Sequence, residues 1–246
     1  MVFQFEPIGV IHSCFREKFG IPRQSGLVPA AKARLELFSS RIPPESLSGI
    51  ESFSHLWVVF IFHKVLGLKK KPMVRPPRLG GNKRVGVFST RSPFRPNPIG
   101  ISVVEMEAVC IGPHETVIHI KGADLLDGTP VLDIKPYVGW SDIVEAPACG
   151  FASERPKPRL SVVFSKKALS QCMEREAFGA GNPKPLIEQV LELDPRPAYH
   201  HSRSAEASYR LKLIDFDLAW RVEGETAVVI SLEPIKTASQ DNPSTI

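Results

Sequence analysis

The residues best suited to chemistry fall in one ten-residue segment, positions 91–100, which reads RSPFRPNPIG. Its three prolines make a stiff, pre-ordered loop because each fixes its own backbone angle. The guanidinium groups of Arg91 and Arg95 can each hold a carboxylate or a phosphate through two hydrogen bonds. Phe94 between them offers a ring face for stacking. A plain rigid turn would explain the prolines but not these three side chains, so we interpret the segment as a binding loop.

Two further loops carry polar groups that could hold a ligand. Asp124 and Asp127 lie around Gly128, and such loop carboxylates can accept hydrogen bonds from ribose hydroxyls or an amino group. An ordinary Asp-Gly hairpin turn explains the same residues. Residues 20–27 form another loop shaped by proline and glycine, for which a plain connection is an equally good explanation.

The common catalytic and metal-binding motifs are absent. The sequence has no glycine-rich dinucleotide fingerprint, no phosphate-binding loop and no nucleophile elbow. His55 and His63 flank a predicted strand and would lie about 26 Å apart, too far to share one metal ion. We therefore expect no metal site, and four separate thiols in a reducing compartment. The four cysteines are Cys14, Cys110, Cys149 and Cys172.

Positive charge is concentrated in one block of the chain. The net charge is only +5, yet no Asp or Glu occurs between residues 52 and 104, where ten Lys or Arg are found. Such a block attracts polyanions, of which nucleic acid is the commonest. A solvated face with counter-charges supplied by distant segments is equally compatible with the count.

The composition is that of a globular protein, with 43% apolar and 23% charged residues, which excludes collagen-like, coiled-coil and wholly disordered chains. The longest apolar run, residues 56–62, is far shorter than the ~20 residues that span a bilayer. The first residues lack the features of a signal peptide. We therefore expect no membrane segment and a cytoplasmic protein.

The elements that must position these loops are mainly short strands. Many short strands without long intervening helices predict a β-barrel or sandwich, and the prolines between residues 72 and 98 require loop or extended chain there. Strands are predicted at residues 8–11, 56–62, 85–88, 101–108, 116–120, 130–134 and 160–164.

The pattern changes to a small α+β unit after about residue 155. Ser165 is predicted to cap a helix over residues 166–178, and a second helix is predicted at 186–193. Alternation within 209–222, a turn at Gly224 and a strand at 227–232 complete the unit. We predict domains at 1–150 and 156–236 and a flexible tail at 237–246. The predicted apolar face of the first helix contains Ala168, Leu169, Cys172 and Met173.

Taken together, these segments closely resemble the TrmO family, also called TsaA-like or YaeB-like proteins. The departures are small: Ser25 and Cys14 stand where the family usually has proline, which affects only the fine shape of two loops. The matching motifs lie, in order, at residues 8–13, 18–24, 53–57, 75–82, 90–100 and 125–137, and then at 189–191, 194–199 and 215–217.

The resemblance implies a mainly β fold, with a TsaA-like barrel as amino-terminal domain, a small carboxy-terminal domain and a homodimeric assembly. It implies a methyltransferase that uses S-adenosylmethionine and lies outside the Rossmann-like class. The implied substrate is N6-threonylcarbamoyladenosine at position 37 of threonine tRNA, methylated on N6. By motif, the implied cofactor contacts are Gln24, Ser25, Gly26, His63, Lys64, Arg91, Ile101, Leu126, Asp127, Gly128 and Thr129.

The acceptor nitrogen belongs to a urea-like linkage, so its proton needs a base. Asp133 and Tyr137 are candidate bases, although a capped turn and a half-buried tyrosine explain them equally well. The basic block would follow tRNA phosphates, with a steep loss of affinity in salt. Its predicted contacts are Arg23, Arg75, Arg78, Lys83, Arg84 and Arg95, with Arg196, Tyr199 and Arg210 as weaker candidates.

Two alternatives remain open on the sequence alone. One is a non-enzymatic RNA-binding module, which would bind no S-adenosylmethionine. The other is a methyltransferase of the same family that acts on a small-molecule acceptor and leaves tRNA unmodified.

Overall fold

The computed structural model describes residues 2–112, 115–179, 181–197 and 207–235. Its amino-terminal part contains eight strands: β1 Gly9–Ser13, β2 Lys32–Leu37, β3 His55–Ile61, β4 Met73–Val74, β5 Val85–Gly86, β6 Ile99–Ile111, β7 Thr116–Lys121 and β8 Thr129–Pro136. Six of them close into an antiparallel barrel in the order β1-β2-β7-β6-β3-β8. The predicted mainly β fold with an amino-terminal barrel is confirmed.

The barrel closes because alternate side chains of each strand are buried inside it. Burial alternates strictly along β3 and along most of β2, and Leu35, Leu56 and Ile118 are almost fully buried in the shared core. Burying these apolar groups drives closure, and closure leaves no free sheet edge. Strand β2 is absent from the sequence prediction, although its sequence KARLEL alternates clearly.

The chain between β3 and β6 makes a long excursion that carries most of the basic block. It contains the two-stranded ribbon β4–β5 and three short 3-10 helices, His63–Val65, Pro77–Leu79 and Val87–Ser89. The excursion is therefore the loop and extended chain that its prolines predict. The strand predicted at 85–88 is shorter, because the backbone turns into the last of these 3-10 helices after Gly86.

A four-stranded sheet with two helices forms the second part of the structure, after the short helix α1 Gly139–Asp142. The elements are β9 Ser161–Phe164, α2 Lys166–Ala177, α3 Lys184–Glu192, β10 Ser208–Leu213, β11 Phe216–Glu223 and β12 Thr226–Pro234. The sheet order is β10-β11-β12-β9, with β9 parallel to β12. The predicted α+β unit is confirmed, but the run predicted at 209–222 is two strands, joined by a turn in which Ile214 has a positive φ of 53°.

The predicted cap of α2 is present, since the Ser165 hydroxyl accepts a hydrogen bond from the Ala168 N–H at 3.1 Å. The predicted apolar face is only half right. Ala168 and Cys172 are buried, whereas Leu169 and Met173 are exposed. The helix is partly held by polar contacts, which hydropathy does not reveal. The side-chain amide of Gln171 donates a hydrogen bond to the Leu232 carbonyl and accepts one from the Leu232 N–H.

The core of the second sheet includes residues from the connection between β1 and β2. Cys14, Phe15, Val28 and Ala31 are buried together with Trp220 and other apolar side chains of the second part. Phe15 also forms an isolated β-bridge with Leu213 of β10. The β1–β2 connection therefore joins the two parts, while the exact domain boundaries remain a prediction. The tail predicted at 237–246 lies outside the described residues.

Candidate functional site

A cavity of about 600 Å³ lies at one end of the barrel. Five stretches of chain surround it: the β1–β2 connection, the end of β3, the proline segment 91–100, the start of β6 and the β7–β8 loop. This volume is within the range of small-molecule sites. The proline segment, interpreted from sequence as a binding loop, forms one wall through Arg91, Pro93, Arg95 and Asn97.

The cavity brings together most of the predicted cofactor contacts. Four predicted contacts do not line it: Ser25, Gly26, Asp127 and Gly128. Each of them lies one or two positions along the chain from a residue that does. The predicted contacts that line the cavity are Gln24, His63, Lys64, Arg91, Ile101, Leu126 and Thr129.

Asp127 fastens the β7–β8 loop to the end of β1. One carboxylate oxygen accepts a hydrogen bond from the Ser13 N–H at 3.0 Å, and the other is paired with the Arg16 guanidinium. Arg16 also donates to the carbonyl of Ile214, at 2.6 Å, so it connects this loop to the second sheet. Both carboxylate oxygens of Asp127 are thus engaged by the protein.

The hairpin interpretation of residues 124–130 is wrong. β7 pairs with β2 and β6, whereas β8 pairs with β1 and β3, so the two strands joined by this loop are not neighbours. The loop instead crosses the end of the barrel, which is why it forms part of the cavity wall. A local Asp-Gly signal does not distinguish the two arrangements.

Asp124 is the only carboxyl group among the described residues that lines the cavity. Its Oδ1 accepts a hydrogen bond of 2.6 Å from the buried Ser102 hydroxyl. Burial raises the pKa of Asp124, and the Ser102 hydrogen bond and the positive charge of Arg91 oppose this rise only in part. The sequence singles out Asp124 as a loop carboxylate, but the family motif leads to Asp127 instead, and only tertiary contacts separate the two.

Aromatic and aliphatic side chains form the apolar wall of the cavity. The rings of Phe60 and Phe62 meet edge to face with centroids 5.0 Å apart. Gly100 on the paired strand leaves room for them, since a Cβ there would come within 2.3 Å of the Phe60 ring. Ile99 and Ile101 extend this wall and remain 39% and 47% exposed. Such a wall suits a flat heterocycle such as adenine.

Basic groups surround the rest of the cavity. The Arg91 guanidinium donates a hydrogen bond to the Gln24 side-chain oxygen and so joins the proline segment to the β1–β2 connection. Burial and the neighbouring Lys64 lower the pKa of His63, so its imidazole is neutral at pH 7. A single carboxyl group therefore lies among several cationic groups. The basic residues that line the cavity are Lys18, Arg23, His63, Lys64, Arg91 and Arg95.

Two aromatic rings in this region each have a cation over one face, and the stacking role of Phe94 remains a prediction. The ammonium of Lys71 lies 4.3 Å from the centre of the Phe94 ring, so the cation occupies one face of it. Phe88, which the sequence analysis does not single out, is 75% exposed, and the Arg95 guanidinium lies 5.8 Å from its ring.

The predicted tRNA contacts separate into two groups. Arg23 and Arg95 line the cavity, whereas Arg75, Arg78, Lys83 and Arg84 are exposed on the excursion beyond it.

The weaker tRNA candidates lie in the second part of the chain. Arg196 is buried and forms two hydrogen bonds with Asp194, at 2.7 and 2.8 Å, and Arg210 pairs with Asp217 at 3.0 Å. Tyr199 lies outside the described residues.

The candidate bases follow the cavity along β8: Asp133 is level with Val59 in the middle of the barrel, and Tyr137 follows the last residue of the strand, next to His55. Asp133 pairs with Lys135 at 2.8 Å and is 48% exposed, and the Tyr137 ring lies 6.2 Å from those of His55 and Trp57. Along β8 they follow the cavity residue Thr129 by four and eight positions, about 13 and 26 Å of extended strand. Neither lines the cavity, so their catalytic role remains a prediction that the geometry of one chain does not support.

Other kinds of site find no support in the described part of the chain. No three His, Cys, Asp or Glu residues among those described are placed to hold a metal ion. The four cysteines are all free thiols. No described helix has the length and the apolar character needed to cross a membrane.

Comparison with known proteins gives consistent matches over nearly the whole chain. Residues 10–143 match the family model of the tRNA-methyltransferase O N-terminal domain, and residues 157–235 match that of the TrmO C-terminal domain. The tRNA (adenine(37)-N6)-methyltransferase of Escherichia coli is 42% identical over 232 residues, which cover 94% of this chain and 98% of the relative.

Two further matches come from Pseudomonas aeruginosa. A putative S-adenosylmethionine-dependent methyltransferase, RcsF, is 46% identical over 220 residues, covering 89% of this chain and 93% of the relative. A crystal structure of TrmO superimposes with a TM-score of 0.76 at 37% identity, covering 94% of this chain and 98% of that one. The similarity therefore includes both the barrel and the second sheet.

Proposed function

The chain belongs to the TrmO family, and on this premise we propose that it methylates N6 of N6-threonylcarbamoyladenosine at position 37 of threonine tRNA. The chain is an S-adenosylmethionine-dependent tRNA (adenine(37)-N6)-methyltransferase, like the relatives with that name. The relatives named as methyltransferases argue against the non-enzymatic RNA-binding module. The threonylcarbamoyl group and the choice of threonine tRNA are the proposed part.

The observation that carries the proposal is the composition of the cavity wall. S-adenosylmethionine contains a flat adenine, a ribose, two cationic centres and one carboxylate. Phe60 and Phe62 offer an apolar surface for the adenine, Arg91 a guanidinium for the carboxylate, and Asp124 the one carboxyl group in the wall. The cavity therefore fits the cofactor in size, and its wall offers partners for the adenine and for the carboxylate.

The bound cofactor supplies an activated methyl group, so the protein has to align the acceptor, exclude water and accept a proton. The Phe60–Phe62 wall and the proline segment restrict water on two sides of the cavity. We propose that a carboxylate oxygen of Asp124 would take the proton that the acceptor N6 loses on methylation. A buried carboxylate with a raised pKa is suited to accept a proton.

We also propose that two copies assemble through the outer face of β3 and β6. Val59 lies opposite Ile101 and Ile61 opposite Ile99 in the strand register, which makes an apolar surface on the outside of the barrel. Ile99 and Ile101 also line the cavity, so a partner seated on this face would cover its open side. Light scattering on the purified protein tests the dimer, and a charge introduced into this apolar face by Ile101→Glu should give monomers. We also propose that the protein is cytoplasmic.

Mass spectrometry of nucleosides tests the reaction directly. Threonine tRNA carrying N6-threonylcarbamoyladenosine, incubated with protein and S-adenosylmethionine, should gain one methyl group at that nucleoside. The same tRNA transcript without the threonylcarbamoyl group should gain none. If calorimetry shows cofactor binding but the modified tRNA stays unmethylated, a small-molecule acceptor replaces the proposed substrate. If the cofactor does not bind at all, the proposal is wrong.

A further inference from the structure

Arginines from three separate segments meet where the barrel joins the second sheet. Arg23 belongs to the β1–β2 connection, Arg78 to the 3-10 helix Pro77–Leu79, and Arg155 to the linker before β9. The linker holds the other two segments together: Arg155 donates a hydrogen bond of 2.9 Å to the carbonyl of Gly26, and Arg78 donates one to the carbonyl of Glu154. The 3-10 helix Pro77–Leu79 also contacts a second short 3-10 helix, Gly150–Ala152, which precedes the linker.

The positive charges in this arginine junction are not neutralised by neighbouring acids. Among the described residues, no carboxylate pairs with Arg23, Arg78 or Arg155. Glu154 contributes its backbone carbonyl to the contact with Arg78. Burial lowers the pKa of Arg23, and the neighbouring positive charges of Arg159 and Arg78 lower it further. Clustered like charges cost free energy in the unliganded protein, and a bound anion would remove that cost.

We infer that Arg23, Arg78 and Arg155 form a binding site for a phosphate group of the RNA backbone, next to the mouth of the cofactor cavity. The inference rests on the proposed tRNA substrate and extends it to the linker between the two sheets. Arg23 lines the cavity, whereas Arg78 and Arg155 do not, so the junction lies at the edge of the cavity. Guanidinium groups approaching from different segments can share the several oxygens of one phosphate.

The phosphate site also gives the linker a role that packing alone does not explain. The Arg155 guanidinium donates a hydrogen bond to the Gly26 carbonyl, so a phosphate bound at Arg155 would lie against the β1–β2 connection. The same connection supplies Gln24 to the cavity wall. RNA binding would thus fix the position of a cavity wall at the moment the acceptor arrives. The bound phosphate would belong to the backbone close to the target nucleoside.

The test measures tRNA affinity over a series of salt concentrations for Arg78→Gln and Arg155→Gln. Arg221→Gln is the matched control, because it removes the same charge from β11, where Arg221 pairs with Glu223. Each junction variant should weaken tRNA binding about tenfold at low salt and reduce the slope of log affinity against log salt by about 0.7–0.9 per lost phosphate contact. The control should change neither quantity.

Two further measurements separate binding from folding. Calorimetry should give the same S-adenosylmethionine affinity for Arg78→Gln as for the unaltered protein. The melting temperature of Arg78→Gln should be equal or higher, because the variant relieves repulsion, whereas an arginine kept only for packing would lower it.

Unchanged tRNA affinity and salt slope in both junction variants, with normal methylation by the unaltered protein, would overturn the phosphate site and leave the proposed function intact. If the unaltered protein neither binds nor methylates the modified tRNA, the proposed function fails and the phosphate site fails with it. A loss of tRNA affinity that accompanies a lowered melting temperature in both variants would assign the junction to folding and so also overturn the inference.

Discussion

Strand β8 and the β7–β8 loop place their acidic side chains in opposite environments. Asp133 on β8 is half exposed and paired with Lys135. Asp124 in the loop lines the cavity, accepts a hydrogen bond from Ser102 and has a raised pKa. A solvated, paired carboxylate costs the fold little, whereas a desolvated one is expensive and is commonly kept for function. The loop carboxylate is therefore the one that we expect to serve the activity.

The same contrast appears within a single loop. Asp124 and Asp127 are three residues apart, yet Asp127 has both oxygens engaged by Ser13 and Arg16. Asp127 stabilises the loop, and Asp124 faces the space that a ligand would fill. Similar sequence context thus gives one structural and one candidate catalytic carboxylate.

The largest expected effect comes from Asp124→Asn. Because Asn cannot take the N6 proton, methyl transfer to modified tRNA should fall by about 10²–10⁴-fold. Single-turnover assays at saturating tRNA and cofactor measure this rate. A loss of less than threefold would show that another group, or none, accepts the proton.

A smaller effect is expected from breaking the ion pair that holds the β7–β8 loop. Arg16→Gln and Asp127→Asn should each lower the free energy of unfolding by about 1 kcal/mol, since the pair is partly exposed. Each should also raise the KM for S-adenosylmethionine several-fold while kcat changes little, because the loop lines the cavity. The double variant should resemble either single variant, and strictly additive effects would argue against the pair. Arg16→Lys, which keeps the charge, should raise the KM for S-adenosylmethionine less than Arg16→Gln does.

The pH dependence of stability distinguishes the two carboxylates more finely. The raised pKa of Asp124 means that its ionisation opposes folding: the cost is absent below the ordinary value of 3.8 and grows as the pH rises through the raised value. Asp124→Asn should therefore unfold at higher urea concentration than the unaltered protein at pH 7, and the difference should shrink toward pH 4. A variant that is less stable at pH 7 would contradict this account of the buried carboxylate.

The smallest effect is expected at Asp133 on β8. Asp133→Asn removes an exposed partner of Lys135 and should change the methylation rate by less than about twofold and stability by less than about 1 kcal/mol. The same assays as for Asp124→Asn provide the measurement. A large loss of turnover with normal cofactor affinity would restore Asp133 as the base and would indicate that a second subunit brings it to the cavity.

Much of the fold follows from the sequence because strands and caps are encoded locally. The predicted strands at 56–62 and 116–120 agree with β3 and β7 to within one residue, and Ser165 caps α2 as expected. Alternating burial and a hydroxyl at a helix start are set by neighbours along the chain. The proline segment could be recognised as a loop for the same reason, and it lines the cavity, whereas its binding role remains a prediction.

The sequence by itself thus determined the mainly β architecture, the loops rich in special residues and the basic block. Only the tertiary structure decided which of those loops meet, that residues 124–130 cross the barrel end, and that Asp124 rather than Asp133 faces the cavity. It also placed Phe15 in the core of the second sheet and brought Arg155 to Gly26. The physical reason is that strand order and burial depend on contacts between residues far apart in the chain, and no local pattern records which partners the closed barrel will bring together.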